Sequence, residues 1–505
     1  MAAPSKVDAL KTSLATSEPI QSVDGDAVKA RWNDERIFAT ALAMAFAVFL
    51  YDRGLELLFS PLRFDENLTG WVTSDGLGDA VSRSWNYQGQ SPVYFALSWA
   101  WQQIVGSSEI ALRLPSLFAL GVGAWQLIRI GRDLHIRTAG YIAAVVLVSS
   151  EVGAMDARPY VFLVLSVIVS IRMGVRWAMF GRRVDGALWA VAGALALYFQ
   201  PLAIYAFVPH VAIVVAAIRK GWAKQTSAFV ALGGVLLIPL VPQLLLLRAR
   251  QDTLVISPIP DLVPALVETL PPIFLAAVIS GVVVDFLLGR TIKPVHRWFW
   301  FFAAAMVTPA IGVYLQTVVT GDSIFVARYY RAGIPAAGLA AGVALSALRI
   351  QARLIGSAAV VVFAAFTLGA HPAEDWYFAA DVVNETPSDV EVWAVTGLIE
   401  STHSFYFEND DANDYLSSAI LWHGAQRPVL SIPLIESDEL TDVHLRNVER
   451  VVSSDSSVVI IRTANPNGPD QEGPAFVIEQ LESAGYVSIE TQQGRGVRST
   501  LLAPS

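Results

Sequence analysis

The chain has 505 residues, of which 54% are hydrophobic and 16% charged, with a formal net charge of −9 and a mean hydropathy of +0.50. Soluble domains carry about 25% charged residues, so this composition excludes an ordinary globular protein. There is no cysteine, which excludes disulfides, thiol nucleophiles and thiolate metal sites.

Residues 1–35 are polar and mildly acidic and lack an apolar h-region, so they read as a cytoplasmic tail rather than a cleavable signal peptide. Apolar stretches follow at roughly 37–59, 112–130, 139–155, 159–171, 186–199, 202–218, 226–246, 263–288, 298–318, 332–348 and 354–370. They predict an α-helical polytopic membrane protein with about 11 transmembrane helices over residues 36–371. Ser91–Gly106 is left out of that count. At 1.5 Å per residue it reaches about 24 Å, short of a hydrocarbon core of about 30 Å. Its Trp99, Trp101, Gln102 and Gln103 suit an interface, so it reads as a juxtamembrane helix within an outer loop over 60–110.

Charge supports that choice. With the N-terminus inside, the inner loops hold Arg129, Arg132 and Arg137; Arg172, Arg176, Arg182 and Arg183; Arg219, Lys220 and Lys224; Arg290, Lys293 and Arg297; and Arg349 with Arg353. Every lysine falls inside, and counting Ser91–Gly106 as a span would invert each later loop. The topology predicts a multi-pass protein of the cell (plasma) membrane, with residues 372–505 outside. There the apolar runs shorten to strand length at Val390–Val395, Ser457–Ile461 and Tyr486–Glu490, between polar helical stretches. This alternation predicts a small, soluble, extracytoplasmic α/β domain.

The same topology gathers ionisable residues at the outer face. Arg63-Phe64-Asp65-Glu66 follows the first span, and Asp156-Ala157-Arg158-Pro159-Tyr160 closes the third. Arg248 and Arg250 lie in the loop at 246–262, and Asp322, Arg328, Tyr329, Tyr330 and Arg331 precede the tenth span. Charges near the bilayer are costly and default to function. A carboxylate can act as general base on a hydroxyl, and an arginine can grip a phosphate bidentately. A sugar carried on a lipid phosphate needs both. Each residue also has a plainer reading. Arg248, Arg250 and Arg331 suit snorkelling to headgroups, and Asp65 with Glu66 an exposed loop pair. Asp156 suits a salt bridge to Arg158, and Arg113 a structural ion pair. His210 reads as a packing histidine, and His371, His403 and His423 as surface residues without metal-ligand spacing. No phosphate-binding glycine loop or Ser-His-Asp pattern is present, and nothing points to nucleic acid.

Several pieces in order resemble the GT-C membrane glycosyltransferases, the superfamily of protein O-mannosyltransferases and the aminoarabinose transferase of lipid A. They are Asp65-Glu66; Ser91-Pro92-Val93-Tyr94-Phe95; Gly106-Ser107-Ser108-Glu109-Ile110-Ala111-Leu112-Arg113-Leu114-Pro115-Ser116; Ala157-Arg158-Pro159-Tyr160; Arg328-Tyr329; and Glu374-Asp375-Trp376. Many relatives open the juxtamembrane helix with Pro-Pro-Leu, and this chain departs from them there. The resemblance covers about residues 37–376. It implies a polyprenyl- or dolichyl-phosphate sugar donor, transfer to a glycan, lipid or protein at the outer face, and inversion at the anomeric carbon. It makes Asp65, Glu66 and Asp156 the catalytic carboxylates. Because an outer-face cavity needs fixed cations for the departing phosphate, Arg158, Tyr160, Arg248, Arg328, Tyr329 and Arg331 are the expected substrate-binding set. The resemblance leaves open whether a divalent ion, Mg or Mn, joins the three carboxylates. The competing class is a transporter or flippase of lipid-linked sugars, which would carry its charges at mid-bilayer in broken helices with an inverted repeat. A third is a membrane-anchored binding protein acting through its acidic C-terminal domain.

Overall fold

The computed structural model describes residues 60–87, 90–150, 156–249, 272–287, 296–321, 325, 327–367, 374–407, 410–463 and 472–505, with a few positions between 39 and 51. Most of the first predicted span, most of the 246–262 loop, Arg250, Asp322 and His371 lie outside these residues.

Three short helices come first: α1 (Phe64–Val72), α2 (Leu77–Asn86) and α3 (Pro92–Val105). The predicted juxtamembrane segment is α3. Ser91 caps it by accepting from the Val93 amide, and Gly106 ends it in a left-handed conformation, φ 86°, that favours glycine. Gln102 of α3 donates to the Thr73 hydroxyl at 2.5 Å, tying α3 to the end of α1.

The helical body follows: α4 (Glu109–Asp133), α5 (Arg137–Val148), α6 (Tyr160–Phe180), α7 (Arg183–Phe199), α8 (His210–Arg219), α9 (Ala223–Leu237), α10 (Val241–Ala249), α11 (Pro272–Leu287), α12 (Trp298–Thr320), α13 (Ala327–Tyr330), α14 (Ile334–Ser346) and α15 (Ile350–Thr367). Among the described residues, four segments are long and apolar enough to cross a membrane: Glu109–Asp133, Tyr160–Phe180, Ala223–Arg248 and Trp298–Thr320. The pair Pro201–Phe207 and His210–Arg219, bent by 48°, is a fifth candidate. That is fewer than eleven because several apolar helices are short and some predicted spans lie wholly or partly outside the described residues. Helix α5 has 12 residues, yet everything from Ala139 to Val148 is buried inside the protein. Gly338 and Gly342, one turn apart on α14, let that helix close on Ala143 and Ala139 of α5, where any Cβ would collide with backbone.

One boundary differs from expectation for a clear reason. The stretch predicted to end at 171, before Arg172, continues as α6 to Phe180. Arg172 Nε meets Asp133 at 3.0 Å and its NH1 donates to Gln126 at 2.6 Å. Arg176 reaches both Asp133 at 3.2 Å and Asp185 at 3.4 Å. Partners on α4 and α7 satisfy these guanidinium groups, so they sit within the helix rather than in a loop. This cluster lies at the end of α4 opposite to Glu109. The 25 residues between its ends span about 36 Å.

The C-terminal unit begins at α16 (Trp376–Glu385), capped by Asp375, whose Oδ1 accepts from the Phe378 amide at 3.0 Å. It continues with β1 (Glu391–Val395), α17 (Asp410–Leu416), α18 (Ser418–Trp422), β2 (Leu430–Ser431), α19 (Asp438–Ser454), β3 (Val458–Thr463), α20 (Glu472–Ser483), β4 (Tyr486–Gly494) and β5 (Val497–Pro504). The sheet order is β2-β1-β3-β5-β4. β1 runs parallel to β2 and β3, while β5 pairs antiparallel with β3 and β4. Strands β2 and β5 escaped the sequence reading; β2 is two residues long, and β5 follows β4 through a tight turn. One apolar cluster on the sheet holds Trp376, Ala379, Ala419 and Ile420, and another holds Val448, Val451, Val477 and Leu481.

Candidate active site

The site is built on the start of α1. Glu66, three residues into the helix, accepts the Arg63 amide at 2.8 Å with Oε2, closing the first turn. Its Oε1 accepts the Ala157 amide at 2.9 Å and Arg113 Nε at 2.8 Å, and Oε2 also accepts Arg113 NH2 at 2.5 Å. Arg113 donates further to the carbonyls of Ser60 (2.8 Å) and Pro61 (3.0 Å). Both side chains are inaccessible to water. The structural ion pair expected for Arg113 is therefore present, and its partner is Glu66. With four hydrogen bonds on two oxygens, Glu66 is committed to the framework and has no lone pair free for an acceptor proton.

That framework clamps residues 156–158 to α1 and α4. Thr69 donates to the Ala157 carbonyl at 2.6 Å, and Ser116 donates to the Asp156 carbonyl at 2.7 Å. Asp156 then meets Arg63, NH1 to Oδ1 at 3.5 Å, rather than the neighbouring Arg158 that the sequence paired it with. Arg158 is buried and donates instead to the Asp65 carbonyl at 3.1 Å.

Asp65 remains open. Arg328 of α13 approaches its Oδ2 at 3.4 Å, and its side chain is still 40% exposed. Burial among protein atoms raises its carboxyl, but Arg158, Arg328, Arg331 and Arg63 together outweigh that effect and hold it below its ordinary value. Asp156 goes the other way. Burial, then the Glu66 charge, push it up to about 6 against the pull of Arg63 and Arg331. Two carboxylates in one cluster are thus tuned in opposite directions, a pattern common at functional sites.

The substrate-binding residues named from the sequence mostly converge here. Arg331 lies over the Tyr160 ring at 5.6 Å, and Arg328 over the Tyr329 ring at 5.3 Å. The Nε atoms of Arg63 and Arg328 are buried without a hydrogen-bond partner, so the cluster has donors to spare. Arg248 does not join it; it is exposed at the end of α10, and no described contact links it to Asp65. Among the described residues no three His, Cys, Asp or Glu side chains gather as a metal site. Glu66 is fully engaged in the framework, and Asp65 and Asp156 lie among the arginines of the cluster.

Sequence reasoning missed what the C-terminal unit contributes. Glu400, in the turn Ile399–Thr402, is electrostatically coupled to both Asp65 and Arg328, and burial raises its carboxyl. His423, read as a surface residue, is buried and meets Glu109 at the start of α4 at 3.2 Å. No motif marks either residue; only folding brings them to α1 and α4.

Comparison with known proteins follows this geometry. The family model described as dolichyl-phosphate-mannose-protein mannosyltransferase matches residues 89–245, from the lead into α3 through most of α10. The fold is similar to crystal structures of ArnT from Cupriavidus metallidurans. For the apo state the TM-score is 0.52 at 12% identity, covering 94% of this chain and 98% of that one. For the form bound to undecaprenyl phosphate it is 0.53 at 12% identity, covering 91% and 97%. No protein of curated function matches the sequence. The chain thus shares the fold of ArnT, and its described residues include helices long and apolar enough to cross a membrane. The resemblance read from its sequence is borne out.

Proposed function

We propose that the chain transfers a sugar from a polyprenyl-phosphate donor to a hydroxyl acceptor at the outer membrane face, by direct displacement with inversion. The observation that carries this reading is Asp65, an open carboxylate ringed by Arg63, Arg158, Arg328 and Arg331, with the Nε atoms of Arg63 and Arg328 free to donate. Such a cluster suits a phosphate, which arginine forks bind best. In the reaction, the bond between the anomeric carbon and the phosphate oxygen breaks, and the electron pair leaves with the phosphate. The acceptor oxygen bonds to the anomeric carbon, and its proton passes to Asp65. Fixed guanidinium groups stabilise the charge that develops on the departing phosphate.

The depressed basicity of Asp65 fits this sequence of events. An arriving phosphate neutralises the arginines that hold the carboxyl down, so Asp65 becomes a better base once the donor is bound. Arg63 links Asp156 to the same cluster, and Asp156 is the second carboxylate of the site. Glu66 sets their positions. We assign no step to a metal ion. A transporter is the less favoured reading, because the described charges sit at helix ends beside α1 and α13 rather than midway along broken helices. The test is incubation of purified protein with polyprenyl-phosphate sugars and membrane acceptors, followed by mass spectrometry. Transfer of sugar supports the reading, and an inert protein with every donor sugar overturns it.

A further inference from the structure

The C-terminal unit is anchored to the outer helices at three points. Trp422 of α18 lies flat on Gly70 of α1, where a Cβ would come within 2.7 Å of the indole. Tyr406 donates to the Tyr87 carbonyl at 3.2 Å, and His423 meets Glu109 at 3.2 Å. Between these anchors lies Tyr415 of α17, with no exposed surface. Its ring stacks on Tyr87 at 5.7 Å and meets Trp71 of α1 edge-on at 5.6 Å. Its hydroxyl donates to Glu400 Oε1 at 2.8 Å.

The aromatic packing therefore fixes one side chain of the C-terminal unit with respect to α1. That side chain is Glu400. The groups that act on it come from three elements: Tyr415 on α17 by its hydrogen bond, and, through electrostatics alone, Asp65 on α1 and Arg328 with Tyr329 on α13. Among the described residues it forms no ion pair, although Arg328 is within electrostatic range. A carboxyl that served only to neutralise Arg328 would close on it, as Asp65 does at 3.4 Å. Glu400 instead stays anchored to Tyr415, whose ring packs against Trp71 of α1.

We infer that Glu400, held by Tyr415, is a positioning residue for the acceptor: it hydrogen-bonds the incoming hydroxyl-bearing molecule and directs one hydroxyl to Asp65. This inference rests on the glycosyl-transfer reading above. The arginines take the phosphate end of the donor, and the acceptor must reach the anomeric carbon from the opposite direction. In-line displacement demands that approach. A carboxyl group can donate to or accept from a hydroxyl, whereas the arginines can only donate. The C-terminal unit would thereby complete the acceptor side of a site whose donor side lies wholly in the helical body.

The test uses the full chain in membranes with radiolabelled polyprenyl-phosphate mannose. Two products are counted, sugar on membrane acceptors and sugar released to water, together with thermal stability. Glu400→Ala should lower the ratio of acceptor-linked to water-linked sugar at least about tenfold, since a misplaced acceptor leaves water to compete. Glu400→Gln, which keeps a hydrogen-bonding group of the same shape, should recover part of that ratio. Tyr415→Phe, which keeps the ring and removes only the hydroxyl that holds Glu400, should lower it by an intermediate factor. An unchanged ratio in Glu400→Ala overturns the inference. So does a parallel loss of both products with lower thermal stability, which marks a purely structural residue. A wild-type chain that yields neither product with mannose or with any other polyprenyl-phosphate sugar overturns the glycosyl-transfer reading itself.

Discussion

Glu66 and Arg113 form a bidentate ion pair, Nε to Oε1 at 2.8 Å and NH2 to Oε2 at 2.5 Å, closed off from water. It joins the first turn of α1 to the start of α4. Asp65, the residue before Glu66, is left facing Arg328 in the open. Adjacent carboxylates thus have opposite duties, and substitutions should separate them.

Removing one partner of a buried pair strands the other charge. Glu66→Ala or Arg113→Ala should therefore cost about 3–5 kcal/mol of stability. The expected sign is a large fall in the unfolding midpoint of detergent-solubilised protein, with activity lost through misfolding. A Glu66→Ala protein as stable as wild type would remove the pair from the framework.

Asp65→Asn should behave differently. General base catalysis contributes about 10²–10⁴-fold, so turnover should fall within that range while the unfolding midpoint moves little. Wild-type turnover in a folded Asp65→Asn protein would take Asp65 out of the mechanism.

Arg328 supplies a fork rather than a point charge. Arg328→Lys should already be damaging, and Arg328→Ala should lower turnover by about 10²–10³-fold, the typical effect of losing one transition-state donor. Binding of undecaprenyl phosphate to each variant, measured by titration, should weaken in the same order. Equal binding by all three proteins would leave Arg328 as a lipid-facing cation.

Acidity should report on Asp156. Its carboxyl is pushed up to about 6 by burial and by the Glu66 charge, so it is neutral below that pH and ionised above it. Asp65 is held below its ordinary value and stays ionised throughout this window. If the Asp156 anion is needed to hold Arg63, kcat/KM should fall on the acid side of about pH 6, and Asp156→Asn should lose that limb. A wild-type profile flat down to pH 4 would show that Asp156 works equally well when protonated.

Sidedness can be read from the absence of cysteine. A single cysteine replacing Asp75, which lies in the turn after α1, should react with an impermeant thiol reagent in intact cells. One replacing Phe180, at the far end of α6, should react only after permeabilisation. The reverse pattern would place the Asp65 cluster on the cytoplasmic side.

The sequence by itself determined the membrane class, because long apolar runs and a low charge content cannot be reconciled with water on all sides. It also marked Asp65, Asp156, Arg158 and Arg328, because charges beside apolar runs stand out as costly. It misjudged Arg172 and Arg176, since a linear reading cannot see that Asp133 and Asp185 wait on neighbouring helices. Only tertiary structure could divide Asp65 from Glu66, for the difference lies in Arg113 and in the Ala157 amide, 47 and 91 residues away from Glu66. Only tertiary structure could bring Glu400 within electrostatic range of Asp65. That juxtaposition depends on Trp422 seating on Gly70 and on Tyr415 packing against Trp71 and Tyr87, contacts between distant segments that leave no periodic or motif signal along the chain.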